Sequence, residues 1–282
     1  MRAAPAHRLL VPAVALAAGG LALIPVVLGA VLVAPHALFI DHRARTGEVY
    51  LVNQSDLPEE VTVELKYGYP VSDSAGGVHI TWPEPAAGER SAAEWLRAFP
   101  RRMRIEPGQR QLVRVLATPP AELPDGEYWS RLIVTSRAVQ PPVAVTGDSA
   151  VQAGITLELR TITSITYRKG AVATGVRLAD FRAAEERDSV VAWVALVREG
   201  NAAFLGSVAL QLRDVNARQV AMFRTPIAVY TAQERRLAFA VDTLLPGAYT
   251  LRLEVSTARE DIAAEHVLPA APIVRSVGVE LR

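Results

Sequence analysis

From residue 31 onward the chain is written in short alternating runs broken by turn residues, and that pattern leaves few folds open. VLVAPHALFI, EVYLVNQS, EVTVELKYGYP, RMRIEP, QLVRVLATPP, YWSRLIVTS and ITLELRTITSITYR each read as a strand. Asn53, Pro107-Gly108 and Pro124-Asp125-Gly126 stand between them. Pro-Asp-Gly makes a turn because Pro presets φ and Gly accepts positive φ. A second set follows Tyr167-Arg168-Lys169-Gly170: VAWVALVRE, VALQLRD, QVAMFR, IAVY, RRLAFAVD, AYTLRLEVS and VRSVGVEL. Short strands at this spacing, with no long helical pattern between them, predict an all-β protein of two sandwiches. The expected division is residues 31–170 and 171–282, joined almost without a linker.

One stretch breaks the pattern. SAAEWLRAF places Glu94 three residues after Ser91, a capping box in which each side chain satisfies a free N–H of a first helical turn. The spacing predicts a short helix over 92–99. Before it, VSDSAGGVHITWPEPAAGER reads as a loop or hairpin.

Residues 1–30 are of another kind. MRAAPAHR is basic, and LLVPAVALAAGGLALIPVVLGAVLVA then runs without a charge. A basic start before an apolar stretch is an export signal. The stretch is also long enough to anchor, since about 20 apolar residues span a bilayer. Either way the remainder is expected outside the cytoplasmic membrane, with membrane contact only through this segment if it is retained.

The chemistry-bearing residues are sparse. There are no cysteines, which removes disulfides and thiolate sites. The formal net charge is +1, and no basic stripe points to nucleic acid. The histidines at 7, 36, 42, 79 and 266 form no metal-ligand spacing, and no metal or other cofactor is expected. Gly147-Asp148-Ser149-Ala150 echoes a hydrolase block, but a nucleophilic Ser there needs an α/β scaffold, so the stretch reads as a turn. No P-loop, GxSxG or GxGxxG occurs. Nothing supports an enzyme.

From Ile155, VQAGITLELR alternates, with Ile155, Leu157 and Leu159 on one face and Thr156, Glu158 and Arg160 on the other. That is a half-buried strand, and alternation reports burial without naming the partner. The apolar face belongs either to the protein's own core or to a groove on another protein.

The order of segments over roughly residues 31–170 resembles the periplasmic pilus and fimbrial assembly chaperones, the PapD-like family. The segments concerned are Val33-Ala34-Pro35 leading into His36–Asp41, then EPGQRQLVRVLATPP, LPDGEYWSRLIV, and the ITLELR strand running into Tyr167-Arg168. The second half matches only in size and β pattern. The resemblance implies two immunoglobulin-like domains in the periplasm. It also implies that the last strand of the first domain pairs with the open edge of a pilin-like client subunit, with an outer-membrane usher as a further partner. The donor positions that match are Ile155, Leu157 and Leu159. The family holds the client's terminal carboxylate with an Arg and a Lys, and here those positions carry His36 and Ser164, neither a fixed cation. Arg160, Lys169 or Arg43 are the candidate substitutes, though the resemblance places none of them. Glu127 and Arg168 fall at two positions of the family's interdomain salt bridge, and Arg114 is a further strand charge that could join them. The chain therefore reads as a divergent member. The alternative is a structural or adhesive immunoglobulin-like protein of the cell envelope, possibly membrane-anchored.

Overall fold

The computed structural model describes residues 31–86, 88–139 and 157–282. In the first half the strands are β1 (Val31–Ala34), β2 (Ala37–Asp41), β3 (Thr46–Asn53), β4 (Glu59–Lys66), β5 (Tyr69–Ser72), β6 (Val78–Thr81), β7 (Leu96–Phe99), β8 (Arg102–Ile105), β9 (Arg110–Ala117), β10 (Gly126–Ala138) and β11 (Glu158–Lys169). One sheet has the order β1-β3-β9-β7 and the other β2-β11-β10-β4-β8, with β5 and β6 forming a separate hairpin. The run VLVAPHALFI is thus two strands in two sheets. Pro35 divides them, having no N–H to offer a ladder. The two sheets bury one apolar cluster that includes Leu51, Leu96, Leu132, Ile165 and Tyr167.

The second half contributes β12 (Thr174–Glu186), β13 (Ser189–Gly200), β14 (Phe204–Arg213), β15 (Gln219–Val229), β16 (Ala232–Ala240), β17 (Gly247–Ser256) and β18 (Ile273–Leu281). Here the sheets run β12-β13-β16 and β15-β14-β17-β18, around a core that includes Phe204, Leu210, Leu212, Leu251 and Leu253.

Three further expectations need correction. Residues 92–99 are not a helix: a turn at 93–95 leads into β7, whose Leu96 and Ala98 enter the core while Arg97 and Phe99 face out. Pairing of β7 with β9 satisfies its backbone and buries two side chains, more than one marginal helical turn could do. Ser91 Oγ still accepts the Ala93 N–H, at 3.3 Å, but it caps only the turn. Second, the second set of strands begins earlier than VAWVALVRE, with the 13-residue β12. Third, QVAMFR and IAVY are one strand, β15. It tolerates Pro226 because it lies at a sheet edge.

The two sandwiches meet at a joint built around one carboxylate. Glu127 is 1% exposed. Its Oε1 accepts from Arg168 Nε at 2.8 Å. Its Oε2 accepts from the Ala203 N–H at 2.9 Å and from Trp129 Nε1 at 3.2 Å. Ala203 belongs to the second sandwich's β13–β14 turn, so the carboxylate spans both halves. In the same turn Asn201 takes the Glu127 N–H on its carbonyl at 3.0 Å, and its Nδ2 donates to the Ala171 carbonyl at 2.9 Å. The Arg168 Nη2 donates to the carbonyl of His266 at 2.7 Å. Beside this, Trp129 meets the Tyr230 ring edge to face, with centroids 5.0 Å apart. The β5–β6 hairpin adds a second footing. Gln233 donates to Ser72 Oγ at 3.2 Å. Gly76, at φ +93°, lies so close that a Cβ would stand 2.6 Å from the Arg236 carbonyl oxygen.

Truncating Glu127 would leave a largely buried guanidinium and two N–H groups unpaired. We expect Glu127→Ala to cost about 3–5 kcal/mol, the range for breaking a buried ion pair. In calorimetry the wild type should unfold in one coupled transition, and the variant in two, at lower temperature. An unshifted single transition in Glu127→Ala would show that the joint does not couple the sandwiches.

Candidate functional site: an open strand edge

Along one side β11 pairs with β10 over its whole length. Along the other it meets β2 only from Ser164 to Arg168, in parallel. From Glu158 to Thr163 that second edge has no partner among the described residues. The pairing fixes which backbone groups face the gap. The Ser164 N–H donates to the His36 carbonyl at 3.4 Å, and the Arg168 carbonyl accepts from the His42 N–H at 2.9 Å. Even-numbered residues of β11 therefore turn toward β2. The two-residue period places the N–H and C=O of Glu158, Arg160 and Ile162 on the open edge.

The odd-numbered side chains face the sandwich interior. Thr163, Ile165 and Tyr167 are buried. Leu159 on the same row is only half-buried, and Leu157, just before the strand, is 54% exposed. The row outruns the core. The protein's own interior accounts for Ile165 and Tyr167, and leaves Leu157 uncovered. Ile162, on the opposite face of the open segment, is 39% exposed. Ile155 lies outside the described residues, as do residues 147–150. At the inner end of the open edge, the Thr163 Oγ1 is buried with no hydrogen-bond partner.

The structure brings His36 and Ser164 together where the edge begins. Both lie where β2 starts to cover β11, His36 exposed and Ser164 half-buried. The fixed cations suggested by sequence lie elsewhere. Arg160 pairs with Glu158 at 3.3 Å on the surface. The Lys169 ammonium donates to the Leu123 carbonyl. Arg43 sits in the turn after β2, its N–H on Asp41 Oδ1 at 2.8 Å. On the strand row of Ser164 the cations are Arg131 and Lys66, its successive cross-strand neighbours. Sequence reading did not single these out, because register alone places them there. Arg131 is buried, with Nε donating to the Gly68 carbonyl at 2.9 Å and its guanidinium 4.9 Å from the Tyr230 ring.

Glu127 and Arg168 meet below this edge, at the joint already described. Arg114 does not join them. It projects from the outer face of its sheet and pairs with Glu48 at 3.1 Å in solvent. Phe39 and His266 were not foreseen. The Arg168 guanidinium stands 4.8 Å from the Phe39 ring, and Phe39 stacks on His266 with centroids 4.3 Å apart. Next to them the Tyr167 hydroxyl lies 2.5 Å from His42 Nδ1. Burial pushes the phenol's pKa up. Among the described residues no three His, Cys, Asp or Glu side chains converge as a metal site would require.

No family model matches the sequence, and no curated protein matches it. Solved structures are similar at low identity. The CupB2 chaperone of Pseudomonas aeruginosa is 11% identical over 88% of this chain and 100% of that one, with a TM-score of 0.45. A chain from the complex of Salmonella enterica SafA pilin with the SafB chaperone is 12% identical, over 88% of this chain and 96% of that one, with a TM-score of 0.43. The DraB chaperone of E. coli is 15% identical over 79% of this chain and 89% of that one, with a TM-score of 0.42.

Proposed function

We propose that this chain is a periplasmic chaperone without enzymatic activity that binds client subunits by β-strand addition, in the assembly of pili or another surface structure. Residues 1–30 serve as its export signal or its anchor. The client is a protein with an exposed β-edge, a pilin-like subunit, and an outer-membrane usher is a further partner. One observation carries the reading: at the open edge of β11, a core-facing apolar row continues past the core. A client strand laid along Glu158–Thr163 would take up the backbone groups of Glu158, Arg160 and Ile162. Its groove would cover Leu157 and Leu159, with Ile155 continuing the row. Fully burying a Leu is worth about 1.5–3 kcal/mol, so the row supplies several kcal/mol against the cost of ordering two chains. His36 and Ser164 offer hydrogen bonds at the foot of the edge, without a fixed positive charge. Capture in this chain therefore leans on strand pairing and apolar burial.

Leu157→Asp separates this role from a structural one. At a side chain already in solvent, the change should move stability by no more than about 0.5 kcal/mol. A charge in a client groove, by contrast, should abolish capture. Pull-down from envelope extract of the source cells, alongside thermal unfolding, reads both. If the variant retains its partner, or the wild type captures none, β11 serves only its own sandwich and the chain is a structural envelope protein. Amide exchange tests the pairing itself. The Arg160 and Ile162 amides should exchange fast in the free protein and become protected in the captured complex. Protection already present in the free protein would mean that the edge is covered.

A further inference from the structure

A second carboxyl is buried almost as deeply as Glu127 but makes no ion pair among the described residues. Glu59 opens β4 and is 2% exposed. It has the parity of Val61 and Val63, which enter the core, so its side chain turns into the first sandwich. It pairs with Ala138, at the end of β10 remote from the joint. Among the described residues its one side-chain hydrogen bond is with Ser55, whose Oγ lies 3.2 Å from Oε1. The charged groups on the elements around it are turned outward or already engaged. Arg104 pairs with Glu106, Arg137 with Glu60 and Arg160 with Glu158, all on the surface. Arg110 lies over the Tyr50 ring, and Asp56, in the same turn as Ser55, is exposed.

Hydrogen counting favours the neutral acid. The Ser55 Oγ also lies 2.8 Å from Asn53 Oδ1 and 2.8 Å from the Leu57 carbonyl. All three neighbours can accept, while a hydroxyl has one hydrogen to give. Given to an ionised Glu59, it leaves two nearer acceptors facing the lone pairs of Oγ. The buried carboxylate would then rest on a single bond with no cation to offset its desolvation. A protonated carboxyl closes the count: Glu59 donates to Ser55 Oγ, and Ser55 donates on to Asn53 or Leu57. Burial raises the Glu59 pKa above its ordinary 4.5, and Ser55 offsets part of that rise.

The turn that Ser55 closes also holds the end of β10. The Pro58 carbonyl accepts the Val139 N–H at 2.8 Å, just past that strand. Next along β10, Arg137 and Ser136 pair with Glu158 and Leu159, in the outer half of β11. Among the described residues β10 is the only strand beside that half. We propose that Glu59 is a proton-operated latch on this edge. With the carboxyl neutral, the turn is closed and β10 holds the outer half of β11 extended. Ionisation draws the carboxylate toward water, opens the turn and frays the end of β10, so the outer half of β11 loses its backing. A pKa raised on folding gives stability that is complete below about 4.5 and is lost as pH rises through the folded value. The consequence for capture rests on the chaperone reading: an edge no longer held extended costs more to order, so client binding weakens as pH rises.

Side-chain NMR of Glu59 and amide exchange in the isotope-labelled full chain, from about pH 4 to about pH 9, test the latch. The carboxyl should titrate above the ordinary glutamate range. Over the same interval the protection factors of Ser136, Val139, Leu159 and Thr161 should fall at least tenfold, while Ile165, in the core, keeps its own. Glu59→Gln keeps a donor for Ser55 and cannot ionise, so it should hold the protection at every pH. Ser55→Ala should lose it already at acid pH, with Ile165 still protected as proof of folding. Titration at or below the ordinary range, as a bound cation would give, overturns the proposal. So does protection that ignores the ionisation, or that falls equally in Glu59→Gln. Pull-down at the two ends of the range reads the consequence separately: capture by the wild type should weaken at high pH, and capture by Glu59→Gln should not. Equal capture by the wild type at both ends overturns the latch's control of the edge, whereas capture absent at both ends overturns the chaperone reading alone.

Discussion

A carboxylate buried to 1% exposure is expensive to desolvate, and the Glu127 side chain is tolerable only because three donors converge on it. Those donors come from three places in the chain: the end of β11, β10 itself, and the turn that opens β14. None of the three can shift without stranding the charge. The two sandwiches are therefore tied by an interaction whose failure is costly, set beside an apolar cluster of Tyr67, Trp129, Ala203 and Tyr230 drawn from both halves. The aromatic contacts around Trp129 and Tyr230 thicken this joint. Burial lowers the pKa of Arg198, whose guanidinium lies 5.6 Å from the Trp129 ring. The ring face partly replaces the water that the cation has lost.

Because Arg168 is the terminal anchor of β11, the joint also fixes that strand from its inner end. β11 is clamped at Arg168, paired with β10 throughout, and packed on the core through Ile165 and Tyr167. Only its outer half has one side unpaired among the described residues. Preorganisation of this kind matters for strand addition. A donor edge that already has its extended backbone loses little conformational freedom on pairing, so more of the pairing energy appears as affinity. With no fixed cation at His36 or Ser164, that saving would carry the larger share of the capture proposed above.

How much of this was readable in the residues depended on local continuity. The strands of the first half could be placed because Pro and Gly punctuate them. β12 was missed because its register shifts between Leu178 and Asp180, so Val176 and Leu178 face inward on one parity and Phe181 and Ala183 on the other. An alternation that changes phase does not look like one strand. Pro226 split β15 in the sequence, since nothing local reveals that its missing N–H falls on an edge. The Ser91–Glu94 pair gave a true local signal that pairing with β9 overrode. At the joint, Glu127 and Arg168 could be singled out by position. Their other partners could not, because the Ala203 amide and the His266 carbonyl are backbone groups that any residue supplies. Leu157 and Leu159 were visible as a face. Whether the edge beside that face is paired depends on where β2 begins.

That point is set by Pro35. β1 and β2 together are long enough to flank more of β11, yet β1 pairs instead with β3 in the opposite sheet. Had the chain continued straight, the backbone groups of Glu158, Arg160 and Ile162 would be capped by the protein's own first strand. An open edge is a standing hazard, since any extended segment can pair with it. Among the described residues its guard is modest, the surface pair of Arg160 with Glu158. Such a pair adds little stability but places charge where an indiscriminate apolar strand would lie. A sheet switch that leaves a backbone edge unpaired beside an apolar row is a poor device for stability. For the client capture proposed above it would serve selection: a partner would have to bring both a free edge and a groove deep enough to desolvate Leu157 and Leu159.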